Sequence, residues 1–131
     1  MQGPELNIGF VVNGVPMSRD GKLLRKTGAA PGDQLVLTKP LGSGTVFAAH
    51  MQLAADGRDV RAAVSSMTES SGIAAELALA HGATACTDVT GFGLMGHLRE
   101  MLGSKSMEII IDSKNVPVLP GARDAASGGL I

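Results

Sequence analysis

Cys86-Thr87-Asp88-Val89-Thr90-Gly91-Phe92-Gly93-Leu94-Met95-Gly96-His97 is the stretch that decides how this chain is read. Just before and within it, residues 83–89 alternate small apolar residues with Thr84, Cys86 and Asp88, the period-2 pattern of a strand whose second face looks into a polar space. Asp88 stands at the exit of that strand. Past Thr90-Gly91-Phe92-Gly93, the residues Leu94, Leu98, Met101 and Leu102 form one helical stripe, with Gly103 as the C-terminal cap. A carboxylate is thus followed by a glycine turn and a helix N-terminus, where free N–H groups and the helix dipole favour an anion. Carboxylate and anion repel unless a cation sits between them, so the arrangement suggests Mg²⁺ bridging Asp88 to phosphate oxygens. A purely local role, with Asp88 capping the turn through its side chain, explains the same pattern as well.

Upstream, Leu35-Val36-Leu37 reads as a short buried strand, preceded by the turn Pro31-Gly32-Asp33 and ending at Thr38-Lys39-Pro40. It delivers a second glycine turn, Gly42-Ser43-Gly44, to a helix carrying Val46, Phe47, Met51 and Ala54 and stopped by Asp56-Gly57. Lys39 at this strand end could neutralise phosphate or be a solvated side chain. Val60, Ala63, Val64 and Met67 give a second helical face. A third helix carries Ile73, Leu77 and Ala80, capped by Ser70 or Ser71 and ended by Gly82. Nearer the N-terminus, Leu6, Ile8, Phe10 and Val12 alternate as a half-buried strand closed by Asn13-Gly14. Beyond the decisive stretch, residues 107–111 read as a strand, and a short helix runs through Ala126.

The composition narrows the possibilities. In 131 residues there are 44% hydrophobic and 18% charged residues, 18 Gly, 3 Phe and no Trp or Tyr, so the core is built from small aliphatic residues and Met. Met51, Met67, Met95, Met101 and Met107 fall at expected core positions. Eleven Lys and Arg against 12 Asp and Glu give a formal net charge of -1, no footprint for nucleic acid or for a membrane surface. The longest apolar runs fall well short of the ~20 residues that span a bilayer. The single Cys86 can form no internal disulfide and reads as a small core residue. With no apolar leader, a cytoplasmic address is expected. His50, His81 and His97 have no zinc-ligand spacing, and His81 reads as a dipole partner at a helix C-terminus.

Gly91, Gly93 and Gly96 also spell GxGxxG, followed by a helix, a strand and Asp112, the outline of a dinucleotide-binding unit. Three features weigh against an NAD or FAD reading. Asp88 would face the pyrophosphate without a metal, the helix is short, and the preceding strand carries Thr and Cys instead of a continuous apolar run.

Gly32-Asp33 with residues 35–42, and residues 81–94 with their Thr-Asp-Val-Thr-Gly-Phe-Gly core, together resemble the selenophosphate synthetases (selenide, water dikinases) of the PurM-like, AIR synthase-related superfamily. Gly3-Pro4-Glu5-Leu6 resembles the segment after that family's Gly-Gly-His loop, and residues 109–121 resemble its next stretch. The resemblance implies an α/β (α+β) PurM-like C-terminal domain, a mixed sheet with helices packed on it. Residues 31–131 would be a truncated copy of that domain, and residues 1–30 would be the last strand of the N-terminal domain with a linker. It implies a reaction taking ATP, selenide and water to selenophosphate, AMP and phosphate. Asp88 would be a Mg²⁺ ligand, while Thr87, Thr90, Gly91 and Gly93, with Lys39, would lie near the nucleotide phosphates. No catalytic residue is expected in this segment, because the family's reactive Cys or selenocysteine, its catalytic Lys and its other metal-binding Asp residues lie upstream. The expected partners are ATP and selenide, the N-terminal domain, and a second subunit in a full-length homodimer, with no nucleic acid and no membrane. Ser71 stands where the family pattern has Asn. The competing classes are a dinucleotide-binding oxidoreductase domain and a non-catalytic metal-phosphate-binding module.

Overall fold

Small side chains decide where the helices of this chain meet. A computed structural model describes residues 9–15 and 23–129, and the first half of the expected strand around Leu6 and Ile8 lies outside them. Helix α1 (Ser43–Met51) starts after Gly42, α2 (Gly57–Thr68) after Asp56, and α3 (Gly72–Ala80) after Ser71. Helix α4 (Gly93–Leu102) follows the decisive turn, and α5 (Ala122–Ser127) follows Gly121. Among the described residues α1 packs on α2 and on α5, and the buried cluster at that junction is Val46, Ala63, Leu119 and Ala122, flanked by Phe47, Val60 and Val118. Ala63 is fully buried and Val46 nearly so, because Ala at the crossing lets the helix backbones approach closely. One parallel bridge, with Leu41 N–H donating to Pro117 O at 2.9 Å and Leu119 N–H to Leu41 O at 2.8 Å, fixes the entry of α1 beside the entry of α5.

The caps follow ordinary helix-terminus chemistry. The Asp56 side chain accepts from Arg58 N–H at 2.8 Å, relieving one of the unpaired donors of the first turn of α2. This moves a boundary: Asp56 caps α2, whereas α1 has already ended at Met51. At α3 it is Ser70, not Ser71, whose Oγ accepts the Gly72 N–H at 3.1 Å. Gly103 ends α4 in a positive-φ conformation, as expected.

The mixed sheet is where sequence and structure part. Among the described residues no strand is assigned, and the segments 35–37, 83–89 and 107–111 lack a ladder. The last two nevertheless keep the side-chain rhythm of strands: Ala85, Thr87 and Val89 are half-buried between exposed Thr84, Cys86 and Asp88, and Met107, Ile109 and Ile111 alternate with exposed Glu108 and Ile110, whereas Leu35 and Val36, expected in a buried strand, are exposed. Local pattern fixes which side chains turn inward, but a strand also needs a run of ladder bonds to a neighbour, and among the described residues these segments make isolated bonds, such as Cys86 N–H to Arg25 O at 2.9 Å, without a ladder. Several apolar residues expected in the core are also uncovered. Met51, Met67 and Met95 are exposed and Met101 and Met107 half-buried, so the Met residues do not build the core as expected; Cys86 too is exposed. Helix α3 buries none of its residues, with Ile73 and Leu77 largely open to solvent. Among the described residues no helix is long and apolar enough to cross a membrane.

Candidate functional site

The candidate site is the run from Thr87 to Gly93 with the helix behind it. Gly93 N–H donates to Thr90 O at 2.9 Å and closes the turn, and Gly93 takes φ +68°, a left-handed conformation that glycine enters at little cost. Helix α4 then begins with no side-chain cap at Phe92, so its first N–H groups are uncommitted to one. Asp88, Thr90, Gly91 and Gly93 are exposed and Thr87 is half-buried, its hydroxyl donating to Asp88 O at 3.2 Å.

What holds the turn is a residue that sequence reading passed over. His97, one turn into α4, is buried, and its Nε2 lies 3.1 Å from both Thr90 N and Thr90 Oγ1. A backbone N–H can only donate, so Nε2 is the acceptor and the neutral ring carries its proton on Nδ1. Nδ1 is buried without a hydrogen bond, 3.4 Å from Glu100 Oε2, near enough for attraction and outside bonding geometry. Glu100 in turn pairs with Lys26 at 2.9 Å, and that ammonium is the main cause holding the Glu100 carboxyl below the usual carboxylate range. The Phe92 ring lies against the imidazole, centroids 5.8 Å apart. The available signal was the spacing Thr90 to His97, which places a ring nitrogen of the first helical turns over the residue that opens the loop.

The segment before helix α1 is strapped to this site. Cys86 N–H donates to Arg25 O at 2.9 Å, and Lys105 Nζ donates to Ala29 O at 2.6 Å. Asp33 accepts from Thr84 Oγ1 at 2.5 Å and from Ala30 N–H at 2.8 Å, and these bonds, the first foremost, lower its pKa.

Lys39 is placed elsewhere. Its ammonium donates to Ser66 O at 2.9 Å and to Glu69 O, satisfying carbonyls at the C-terminal end of α2, and among the described residues it has no hydrogen bond or ion pair with residues 87–93. It borders a hollow of about 250 Å³ whose floor includes Ile73 and Leu77 of α3. Asp112, the acidic residue of the dinucleotide pattern, accepts from Lys114 N–H and Asn115 Nδ2, each at 3.0 Å, and so caps a short 3-10 turn. Among the described residues no three His, Cys, Asp or Glu side chains gather as a metal site. One exposed carboxylate fits Mg²⁺ as a single ligand in a shell otherwise made by water and substrate phosphate, which is how that ion is commonly held.

The model of the AIR synthase related protein, C-terminal domain, matches residues 30–130. The chain belongs to that family. Within it, the chain is 41% identical to a selenide, water dikinase of Geobacter metallireducens over 128 residues, 97% of this chain and 36% of the relative. It is 40% identical to one of Caldanaerobacter subterraneus subsp. tengcongensis over 110 residues, 84% of this chain and 32% of the relative. To one of Shewanella sp. (strain MR-4) it is 37% identical over 131 residues, 100% of this chain and 37% of the relative. The chain therefore spans about a third of the length of these relatives. No solved structure matches it.

Proposed function

We propose that this chain forms one wall of the Mg²⁺–ATP site of a selenide, water dikinase that takes ATP, selenide and water to selenophosphate, AMP and phosphate. The observation that supports this most is the exposed Asp88 two residues ahead of a turn closed by Gly93 and held from behind by His97. Bound Mg²⁺ would neutralise charge on the phosphate oxygens. The chain's own part is to keep the Asp88 carboxylate outside the turn as one ligand, and to present N–H groups at the start of α4 to a phosphate oxygen. Thr87 and Thr90 shape the wall, and Gly91 and Gly93 let phosphate approach the backbone. Lys39, with a third N–H beyond the two spent on carbonyls of α2, stands as the accessory cation.

In this reading residues 1–30 are the last strand of a preceding domain with its linker, and residues 31–131 belong to the PurM-like C-terminal domain. The segments 35–37, 83–89 and 107–111 become strands of a mixed sheet when neighbours outside the described residues pair with them. The remaining catalytic groups come from the N-terminal domain, the whole enzyme is a cytoplasmic homodimer, and this chain alone is inactive.

Equilibrium titration of a full-length dikinase carrying this sequence distinguishes the readings. Mg²⁺-dependent ATP binding without saturable NAD or FAD binding is expected. Tight, metal-independent dinucleotide binding would instead favour an oxidoreductase domain.

A further inference from the structure

We infer that His97 is a positioning residue: its Nε2, accepting the Thr90 N–H, fixes the turn that aims Asp88, and the Glu100 carboxylate, held by Lys26, favours the tautomer that accepts. The inference rests on the proposed role of Asp88, but its first test does not.

The argument begins with burial. His97 is 4% exposed, so each ring nitrogen must be paired or be left at a cost. Nε2 is paired with Thr90 and is thereby committed as acceptor. The proton left on Nδ1 makes no hydrogen bond, but Glu100 Oε2 lies 3.4 Å from that nitrogen, and its negative charge favours this tautomer over the one with Nε2–H. Glu100 is itself oriented by Lys26, from the segment that precedes α1. The series Thr90, His97, Glu100, Lys26 therefore runs from the site turn, along side chains of α4, to the segment that precedes α1. The Phe92 ring is a tilted neighbour of the imidazole, and a Cβ on Gly96 would stand 2.7 Å from the Phe92 Cβ, so Gly96 leaves room for Phe92 at the start of α4. A histidine that served packing alone would need neither the Thr90 N–H on Nε2 nor a carboxylate beside Nδ1; here the first is a hydrogen bond and the second a nearby negative charge. Its effect on a ligand is indirect. Thr90 is two residues from Asp88, and rotation of its peptide unit would swing the carboxylate out of register with the N-terminus of α4.

Two measurements test this. In the unmodified chain, ¹⁵N shifts of labelled histidine should show one neutral imidazole with Nδ1 protonated and Nε2 accepting. His97→Leu should lower the hydrogen-exchange protection of the Thr90 amide by about tenfold, and His97→Gln, whose side-chain oxygen can take the place of Nε2, should restore most of it. In a full-length dikinase with this sequence, His97→Leu should raise the Mg²⁺ concentration for half-maximal turnover by about 10-fold or more, the range seen when a group orienting a metal ligand is lost. His97→Gln should stay within about threefold of the parent. An Nε2-protonated ring, or unchanged Thr90 protection in His97→Leu, would overturn the anchor. An intact anchor whose loss leaves the Mg²⁺ response unmoved would reduce His97 to a packing residue and overturn the inference. Should Asp88→Asn also leave turnover unchanged, the failure lies in the phosphate-wall reading instead.

Discussion

At Gly42, both backbone and space require glycine. Its φ of +112° is one that side-chain-bearing residues rarely adopt, and a Cβ there would stand 2.5 Å from the Ala122 Cβ of α5. Gly42→Ala should therefore destabilise the chain by about 2–4 kcal/mol, combining backbone strain with overpacking at the α1–α5 junction, as read from urea unfolding. Gly91 is the contrasting case. A Cβ there meets nothing within 4 Å and its φ lies outside the left-handed region, so Gly91→Ala should leave the melting temperature within about a degree. If that variant also loses Mg²⁺-ATP affinity in the full-length enzyme, the glycine serves ligand approach; unchanged affinity removes Gly91 from the wall. Asp56 gives a pH signature. The Arg58 guanidinium, and then the Arg58 N–H, lower its carboxyl from 3.8 to about 2. A depressed folded-state value stabilises the folded chain above pH ~4, and this contribution is lost as pH falls through about 2. Asp56→Ala should lower stability at pH 6 and flatten its fall between pH 4 and 2, measured by thermal melts across that window.

Among the elements, α1, α2 and α5 share a buried contact that carries the described core. Val46→Ala at its centre should cost about 2 kcal/mol, since it removes buried methyl groups from a place where Ala63 and Ala122 cannot swell to refill the space. Helices α1 and α2 were legible because Val46, Phe47 and Met51, and then Val60, Ala63, Val64 and Met67, fall at helical spacing, although Asp56, read as the stop of α1, caps α2. The glycine turn ahead of α4 was legible for the same local reason. What sequence could not supply was long-range pairing: the alternation in 83–89 and 107–111 correctly marks the half-buried side chains, yet names no strand that would lie beside them. Nor did it show that Lys39 is tied to the last carbonyls of α2, or that His97 reaches back to Thr90. Both depend on how the chain returns on itself after a helix, which a periodicity does not encode.

For the molecule as a whole, the uncovered faces and the site point the same way. Helix α3 with Ile73 and Leu77 exposed, together with exposed Val36 and Ile110, leaves apolar surface open to solvent among the described residues. We expect residues supplied by the rest of a dikinase to cover them, so hydrogen exchange across 73–79 and 107–111 should slow when the N-terminal portion is added; exchange unaffected by that addition would count against a shared core. Phosphoryl transfer needs several charged groups aligned together, and in the proposed reading Asp88 with its turn would supply one of them. The central claim is that this carboxylate holds metal at the phosphates, and selenide-dependent AMP formation by a full-length dikinase bearing Asp88→Asn tests it most directly. The account predicts turnover reduced by about 100-fold or more with the fold intact by circular dichroism; turnover equal to the parent enzyme at limiting Mg²⁺ would contradict it.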